Sequence, residues 1–216
     1  MRLRHDKNAS EYLANSTHII KNPTDFKGQW HKLFGNNNPI HVEFGCGKGA
    51  FITTLATQYP DINYLAIERA ETVVYKAIKN ATEIPANLYF LYFDGADCLD
   101  IFNDSEIARI YLNFSDPWHK NRYKKRRLTY RDFLSKYEQI LDTTGELHFK
   151  TDNKNLFAFS IEEFSNQKWL IKNVSLDLHN ENIANVMTEY EQKFSTQGVT
   201  INRLEAIPPK KYFHTP

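Results

Sequence analysis

Residues 40–50 read IHVEFGCGKGA, and they give the clearest indication of the architecture. Residues 40–46 form a short apolar run, which is typical of a buried strand. The glycines that follow allow the backbone to turn sharply and a ligand to approach the main chain. Residues 49–59 then carry apolar side chains at helical spacing and stop at Pro60. The stretch therefore predicts a strand, a glycine-rich loop and a helix, the unit that binds nucleotides in α/β sheets.

The alternation of short apolar runs with amphipathic segments continues along the rest of the sequence. Predicted strands occupy residues 40–46, 64–67, 88–93, 107–114 and 147–149, with two late strands around 174–178 and 199–201. Predicted helices occupy residues 49–59, 73–81, 130–141 and 157–164. Thr129 and Asp132 form a candidate capping box for the third helix. This order predicts a mostly parallel sheet with helices on both faces, whose ligands bind beyond the carboxyl ends of strands.

The composition limits the class of protein. Hydrophobic residues make up 41% of the 216 residues and charged residues 25%, as in a soluble globular protein. No run approaches the roughly 18 apolar residues of a membrane helix, and we expect no secretory signal. The distant cysteines Cys46 and Cys98 suggest no disulfide framework, which favours a reducing cytoplasm. The net charge of +1 predicts no particular partner, so the distribution of charge matters more.

An acidic residue lies near the end of each of the first three predicted strands. Glu43 comes two residues before the first glycine, Glu68 ends the second strand and Asp94 ends the third. A carboxylate at Glu43 would repel a pyrophosphate, but it suits a ligand with a positive end such as S-adenosylmethionine. The glycines also satisfy the lenient G-x-G-x-x-A dinucleotide form, so a NAD-dependent oxidoreductase stays an alternative.

A basic segment follows the fourth predicted strand. Residues 115–127 read SDPWHKNRYKKRR, and residues 119–131, with Arg131 included, contain seven Lys or Arg and no acid. A solvated helix face usually mixes both signs, so this cluster indicates a phosphate-rich substrate. Trp118 and Tyr123, set among the charges, are suited to stack on bases.

With these motifs the chain resembles the bacterial tRNA (guanine-N7-)-methyltransferases of the TrmB type. The resemblance covers nearly the whole chain and rests on four segments in order: VEFGCGKG at 42–49, SDPW at 115–118 with its Lys-Arg-Arg tail, FKTD at 149–152 and TEYE at 188–191. Family members often have proline at the positions of Ser115 and His119. Neither departure touches a carboxylate, so the resemblance still implies an active enzyme.

The resemblance also implies a role for each matching position. Asp116 matches the catalytic aspartate, which also faces the cofactor. The positions that match S-adenosyl-L-methionine-binding residues are Glu43, Gly45, Gly47, Gly49, Glu68, Asp94 and Asp116. Those that match substrate-binding residues are Lys120, Asp152, Thr188, Glu189, Tyr190 and Glu191. Those that match the RNA-contacting segment are Arg122, Tyr123, Lys124, Lys125, Arg126 and Arg127. No metal is implied.

The implied fold is that of a class I S-adenosylmethionine-dependent methyltransferase, a Rossmann-like seven-stranded sheet. Residues 1–39 are expected to form an extension packed on a single domain of residues 40–216. The implied reaction is methylation of N7 of a guanine in tRNA, in the variable loop, by a cytoplasmic monomer or homodimer that does not bind membranes.

Other interpretations remain open from the sequence. Asp152 also suits a helix N-cap, and residues 188–191 also suit an exposed strand end. A non-catalytic RNA-binding subunit with this fold, or a methyltransferase that acts on another RNA or on protein, are the competing functions.

Overall fold

A computed structural model describes residue 6 and residues 8–211 of the chain. Within these residues the strands are β1 (Ile40–Phe44), β2 (Asn63–Glu68), β3 (Leu88–Tyr92), β4 (Ile107–Asn113), β5 (Leu141–Thr151), β6 (Leu170–Ser175) and β7 (Asn202–Ile207). The α-helices are α1 (Ala9–Asn15), α2 (Trp30–Phe34), α3 (Ala50–Gln58), α4 (Glu71–Asn80), α5 (Arg131–Ile140), α6 (Lys154–Asn166) and α7 (Glu189–Ser195). No helix in the described part of the chain combines the length and the apolar character needed to span a bilayer.

The strands belong to one sheet in the order β3-β2-β1-β4-β5-β7-β6. β7 runs antiparallel to β5 and β6, whereas the pairs β1–β2, β2–β3 and β4–β5 are parallel. The predicted α/β fold with a mostly parallel seven-stranded sheet is therefore confirmed. The chain divides into two compact units, Met1–Phe102 and Asn103–Pro216. The interpretation of residues 40–216 as a single domain stays a prediction.

The first unit is built on three fully parallel strands. Every residue of β1 is buried, as are the first five of β2, because strands covered on both faces need continuous apolar runs. Residues before β1 also belong to this unit: the indole Nε1 of Trp30 donates to the carbonyl of Ile101 at 2.9 Å. The backbone N–H of Ile20 donates to the carbonyl of Phe90 in β3 at 3.0 Å, which extends the edge of this group of strands.

The second unit contains the largest errors of the sequence-based prediction. β5 spans eleven residues rather than the predicted 147–149, and Gly145 lies inside it. A Cβ at Gly145 would lie 2.9 Å from Leu141 Cδ2, so this position needs glycine to avoid a steric clash and does not mark the start of the strand. The predicted strands around 174–178 and 199–201 were also misplaced. β6 begins four residues earlier than predicted, and β7 begins three residues later, because buried polar residues such as Glu205 hide the pattern of β7.

Helix starts were also partly mispredicted. The capping box at Thr129 was wrong: Thr129 is buried and its hydroxyl contacts that of Ser160 at 2.7 Å, while α5 begins after Tyr130 without a side-chain cap. A capping box occurs instead at the start of α7, so residues 188–191 are not a strand end. Asn153 caps α6 by accepting from the Leu156 N–H at 2.9 Å, and Asp152 is therefore not the N-cap.

Candidate active site

In the first unit, the glycine-rich loop links β1 to α3 and is fixed to the end of β2. The N–H groups of Gly45 and Cys46 both donate to the carbonyl of Ile67, at 2.8 and 3.1 Å. Gly45, Gly47 and Gly49 have φ values of +77°, +57° and +78°, in the left-handed region that favours glycine. The predicted sharp turn is therefore present and depends on all three glycines.

The three glycines serve different purposes. A Cβ at Gly45 or Gly47 would meet nothing within 4 Å, so these two leave the mouth of the loop open to a ligand. A Cβ at Gly49 would lie 2.8 Å from Cε1 of Phe90, so this glycine lets α3 pack against β3. Gly45 and Gly47 thus form an open cradle for a ligand, and Gly49 allows the close packing of α3 against β3.

Carboxylates surround this cradle within the first unit. Glu43 is the penultimate residue of β1, and only 1% of its surface is exposed. Glu68 ends β2 and accepts from the N–H of Gly47 at 3.3 Å and of Ala70 at 2.9 Å. Burial raises the pKa of Glu68, while these backbone donors counteract the shift. Asp94, after β3, is exposed and accepts from the Ala96 N–H at 2.9 Å. Each of the three strands therefore brings one acid to the same edge.

Cys46, in the middle of the loop, experiences the negative electrostatic potential of these acids. Burial raises the pKa of its thiol well above the ordinary value, and the charges of Glu43 and Glu68 raise it further. The thiol consequently stays protonated and is unsuited to nucleophilic chemistry. A field that disfavours an anion at Cys46 favours a cation in the neighbouring space.

In the second unit, the SDPW segment forms a tight loop after β4. Phe114 and Trp118 have positive φ values of 50° and 42°, although neither is glycine. A left-handed backbone costs such residues about 1–2 kcal/mol each, so other contacts must hold this loop. At one end, the Phe114 N–H donates to the carbonyl of Lys150 at 2.9 Å. At the other, Arg127 donates to the carbonyls of Pro117 at 3.0 Å and Trp118 at 3.1 Å. Asp116 is carried, exposed, between these two anchors.

The predicted RNA-contacting segment is a 3₁₀ helix, Asn121–Arg126. The guanidinium of Arg126 lies 5.0 Å from the ring centre of Trp118 and 5.1 Å from that of Tyr123. The guanidinium of Arg122 also lies 4.9 Å from the ring centre of Tyr123. The side chains thus form a ladder of alternating cations and aromatic rings. The cations Lys120, Arg122, Lys125 and Arg126 are exposed, whereas Lys124 and Arg127 are half-buried.

Asp152 and Tyr190, two predicted substrate-binding residues, lie together. The hydroxyl of Tyr190 donates to Asp152 Oδ2 at 2.9 Å. Burial and the neighbouring carboxylate raise the pKa of Tyr190 to about 12, so the phenol remains a donor at neutral pH. The ring of Tyr190 also packs against Phe114, with ring centres 5.1 Å apart, and against Phe194 at 4.3 Å. The start of α7 is thereby linked to the SDPW loop.

Glu191, a third predicted substrate-binding residue, is enclosed by its own unit. Lys150 Nζ lies 2.6 Å from Glu191 Oε2, and the Asn185 amide donates to Oε1 at 2.6 Å. His179 Nε2 lies 3.2 Å from Oε1, and the Thr188 N–H donates to Oε2 at 3.4 Å. Glu191 is 0% exposed and Lys150 is 5% exposed. Sequence reasoning missed this network; the lysine that follows Phe149 near the end of β5 was its one signal.

Comparison with known proteins shows the family to which the chain belongs. Residues 37–204 match the sequence model of a family described as "Putative methyltransferase". The tRNA (guanine-N(7)-)-methyltransferase of Lysinibacillus sphaericus is 54% identical over 210 residues, which cover 95% of this chain and 97% of that protein. The enzyme of the same name from Bacillus subtilis is 50% identical over 208 residues, covering 95% and 98%. The chain belongs to the tRNA (guanine-N7-)-methyltransferase family.

A solved structure agrees with this family at the level of fold. A 16S rRNA methyltransferase, KamB, aligns with a TM-score of 0.63 at 11% identity and covers 84% of this chain and 94% of that one. The class I methyltransferase fold expected from the sequence is therefore confirmed. Membership in a methyltransferase family also removes the NAD-dependent oxidoreductase as an interpretation of the glycine-rich loop.

One further cluster in this family member resembles a metal centre. Ligand atoms of Glu146, His148 and Glu205 lie within 4.8 Å of one another. However, Arg109 and Lys172 each lie 2.7 Å from an oxygen of Glu146. Cations of the chain already pair with this carboxylate, so we interpret the cluster as an ion-pair network of the sheet.

Proposed function

We propose that this chain transfers the methyl group of S-adenosylmethionine to N7 of a guanine in the variable loop of tRNA. Family membership carries the proposal, because relatives that bear this activity in their names match almost the full length of the chain at about half identity. The open glycine cradle with its acidic rim supports a cationic methyl donor. The exposed basic ladder of residues 118–126 supports a polyanionic substrate, which the chain would meet in the cytoplasm.

The first unit fits the proposed donor. S-adenosylmethionine supplies an electrophilic methyl group on a positively charged sulfonium. Glu43 places a buried negative charge beside the loop, where it favours the ammonium and sulfonium groups. Glu68 accepts from backbone N–H groups, among them those of Gly47 and Ala70, and its remaining acceptor capacity suits the ribose hydroxyls. Asp94 has the same capacity for the adenine amino group. Side chains at Gly45 and Gly47 would fill the space that the donor needs.

Asp116 is our candidate for the catalytic residue. Guanine N7 carries a lone pair and no proton, so the transfer needs alignment and charge stabilisation rather than a general base. Methylation makes the purine ring cationic, and a carboxylate nearby stabilises that developing charge. A carboxylate can also accept from the guanine N1–H and amino group, which distinguishes guanine from adenine.

The other substrate-binding candidates divide into two groups. Asp152 and Lys120 are at least partly exposed, and we propose that they contact the nucleotide directly. Tyr190 orients Asp152 through its hydroxyl and offers a ring beside Phe114. Glu191 and Thr188 hold the first turn of α7 through the capping box, so we propose that they position Tyr190 rather than contact the substrate. Glu189, which is exposed, remains a candidate contact.

The decisive experiment is to incubate the purified chain with unmodified tRNA and labelled donor, and then to map the methylated nucleotide by mass analysis. We expect N7-methylguanosine at one position of the variable loop. Binding of tRNA without methylation would favour a non-catalytic RNA-binding subunit. Methylation of ribosomal RNA or of protein, with no transfer to tRNA, would also contradict the proposal.

A further inference from the structure

Arg127 lies in the basic segment, yet its surroundings differ from those of its neighbours. It follows the 3₁₀ helix Asn121–Arg126 and turns back towards the SDPW loop, ten residues earlier in the chain. Its guanidinium lies 4.3 Å from the ring centre of Phe159, so one face of the cation is covered. Burial lowers the pKa of Arg127 from its ordinary value. Arg126, by contrast, is exposed.

The two hydrogen bonds of Arg127 act on one residue of the loop. Nε donates to the carbonyl of Pro117 at 3.0 Å, and Nη2 donates to the carbonyl of Trp118 at 3.1 Å. These carbonyls belong to the two peptide groups on either side of the Trp118 Cα. A planar guanidinium that binds both peptides fixes both backbone angles between them. Trp118 is the residue with a φ of 42°, which needs such support.

We infer that Arg127 is a positioning residue that builds the SDPW loop, and not a contact to RNA phosphates. This inference rests on the proposed function. By fixing the peptides of Pro117 and Trp118, Arg127 sets the direction of the chain that carries Asp116, two residues before Trp118. It also sets the position of the Trp118 ring, on which Arg126 stacks. The exposed cations Arg122 and Arg126 supply the contacts to phosphate, and Arg127 supplies the loop geometry.

The first test separates these roles by the salt dependence of tRNA binding. Each phosphate contact contributes about 0.7–0.9 to the slope of log K against log salt. We expect R126Q to reduce this slope by about that amount, whereas R127Q leaves it unchanged. A reduction of equal size in R127Q would overturn the inference.

The second test separates turnover from binding. Lysine keeps the charge of Arg127 but cannot bind two carbonyls with the fork of a guanidinium. We expect R127K to lower kcat by about tenfold or more, the effect of losing about one charge-assisted hydrogen bond, with the KM for tRNA changed less than about twofold. A normal kcat in R127K, or a loss confined to KM, would contradict a positioning role.

Arg131 provides the matched control for this substitution. Its guanidinium also forms a fork, with Nε and Nη2 at 3.1 and 2.8 Å from the two oxygens of Glu163, but it lies outside the proposed site. R131K should lose stability without losing kcat. Equal losses of kcat in R127K and R131K would mean that only general destabilisation had been measured, and the inference would fall. Most of the proposed donor-binding residues belong to the first unit, so the Kd for the methyl donor should change no more than a few-fold in either variant.

A third measurement does not need activity. The chain has three tryptophans, so protein labelled with 5-fluorotryptophan should give three ¹⁹F resonances, and W118F assigns that of Trp118. R127K should shift or broaden the Trp118 resonance, while K125Q in the same basic segment should leave it in place. An unmoved Trp118 resonance in R127K would refute the inference even if the chain proved not to methylate tRNA. Conversely, a wild-type chain without methyltransferase activity would refute the proposed function and leave this result intact.

Discussion

Replacing Lys150 by methionine would remove the cation that faces the buried carboxylate of Glu191. Lys150 Nζ donates to Glu191 Oε2 at 2.6 Å, to Asn185 Oδ1 at 3.0 Å and to the Val186 carbonyl at 2.9 Å. Removing one partner of a buried ion pair typically costs about 3–5 kcal/mol, because the other charge stays buried. Glu191 keeps its contacts to Asn185, His179 and Thr188, so we expect a value near the lower end, about 3 kcal/mol.

The loss should be visible in thermal unfolding and should be local in origin. For a chain of this size, about 3 kcal/mol corresponds to a decrease in Tm of roughly 6–12 °C. Amide hydrogen exchange should show the greatest loss of protection in α7, since Glu191 lies in its first turn. Methyl transfer should fall as well, because Tyr190 would no longer be held against Asp152.

The control is the double variant K150M/E191Q. Glutamine is neutral and can still accept the hydrogen bonds of the helix start, so the double variant should regain about 2 kcal/mol of the lost stability. If K150M costs less than about 1 kcal/mol, or if the double variant is as unstable as the single one, the buried charge is not what makes the network necessary.

Three further predictions concern other parts of the molecule. In the glycine loop, G47A should weaken donor binding about tenfold or more, while its positive φ costs only about 1–2 kcal/mol of stability. G49A should lower the stability further, because its Cβ would also meet Phe90. Calorimetric titration of the donor and thermal unfolding of both variants test this. D116N should cut kcat by about a hundredfold, the loss of one charge that acts on the transition state, while the Kd for the donor changes only a few-fold; unchanged turnover would refute the catalytic role. The hydrogen bond from His148 and the contact with Lys172 lower the pKa of Glu146 against the effect of burial. The ionised carboxylate therefore stabilises the fold at pH values above its ordinary pKa of about 4.3, and this stability is lost as the pH falls through and below that value. Denaturant unfolding between about pH 5 and 3 should therefore depend less steeply on pH in E146Q than in the wild type.

The sequence was most informative where a position was constrained by local chemistry. The parallel strands of the first unit are buried on both faces, so their continuous apolar runs gave bounds within two residues of the structure at either end. The glycine loop follows β1 directly, and the acids Glu43, Glu68 and Asp94 lie within two residues of the ends of β1, β2 and β3. Their order along the sequence therefore predicted their meeting at one edge of the sheet.

The errors lie where distant residues decide the outcome. β6 is an edge strand with exposed apolar residues such as Leu170, and β7 buries the charged Glu205 in an ion-pair network, so neither strand shows a clear pattern. The partner of Lys150 is 41 residues away, and the partner of Thr129 is 31 residues away. Such pairs depend on tertiary packing, which residue spacing does not contain.

Acceptor capacity distinguishes two kinds of acid that the sequence treats alike. A carboxylate offers about four lone-pair positions. Glu191 has four contacts from its own unit, and its burial leaves no room for a ligand, so it serves the fold. Glu68 accepts from the backbone N–H groups of Gly47, Ala70 and Arg69, so part of its capacity remains for a bound molecule. The same reasoning applies to cations. Arg127 donates to two backbone carbonyls of the chain, while the guanidinium of Arg126 is exposed at the surface. The motifs therefore indicate which residues are needed, and the hydrogen-bonding capacity that remains in the structure indicates which of them can bind a ligand.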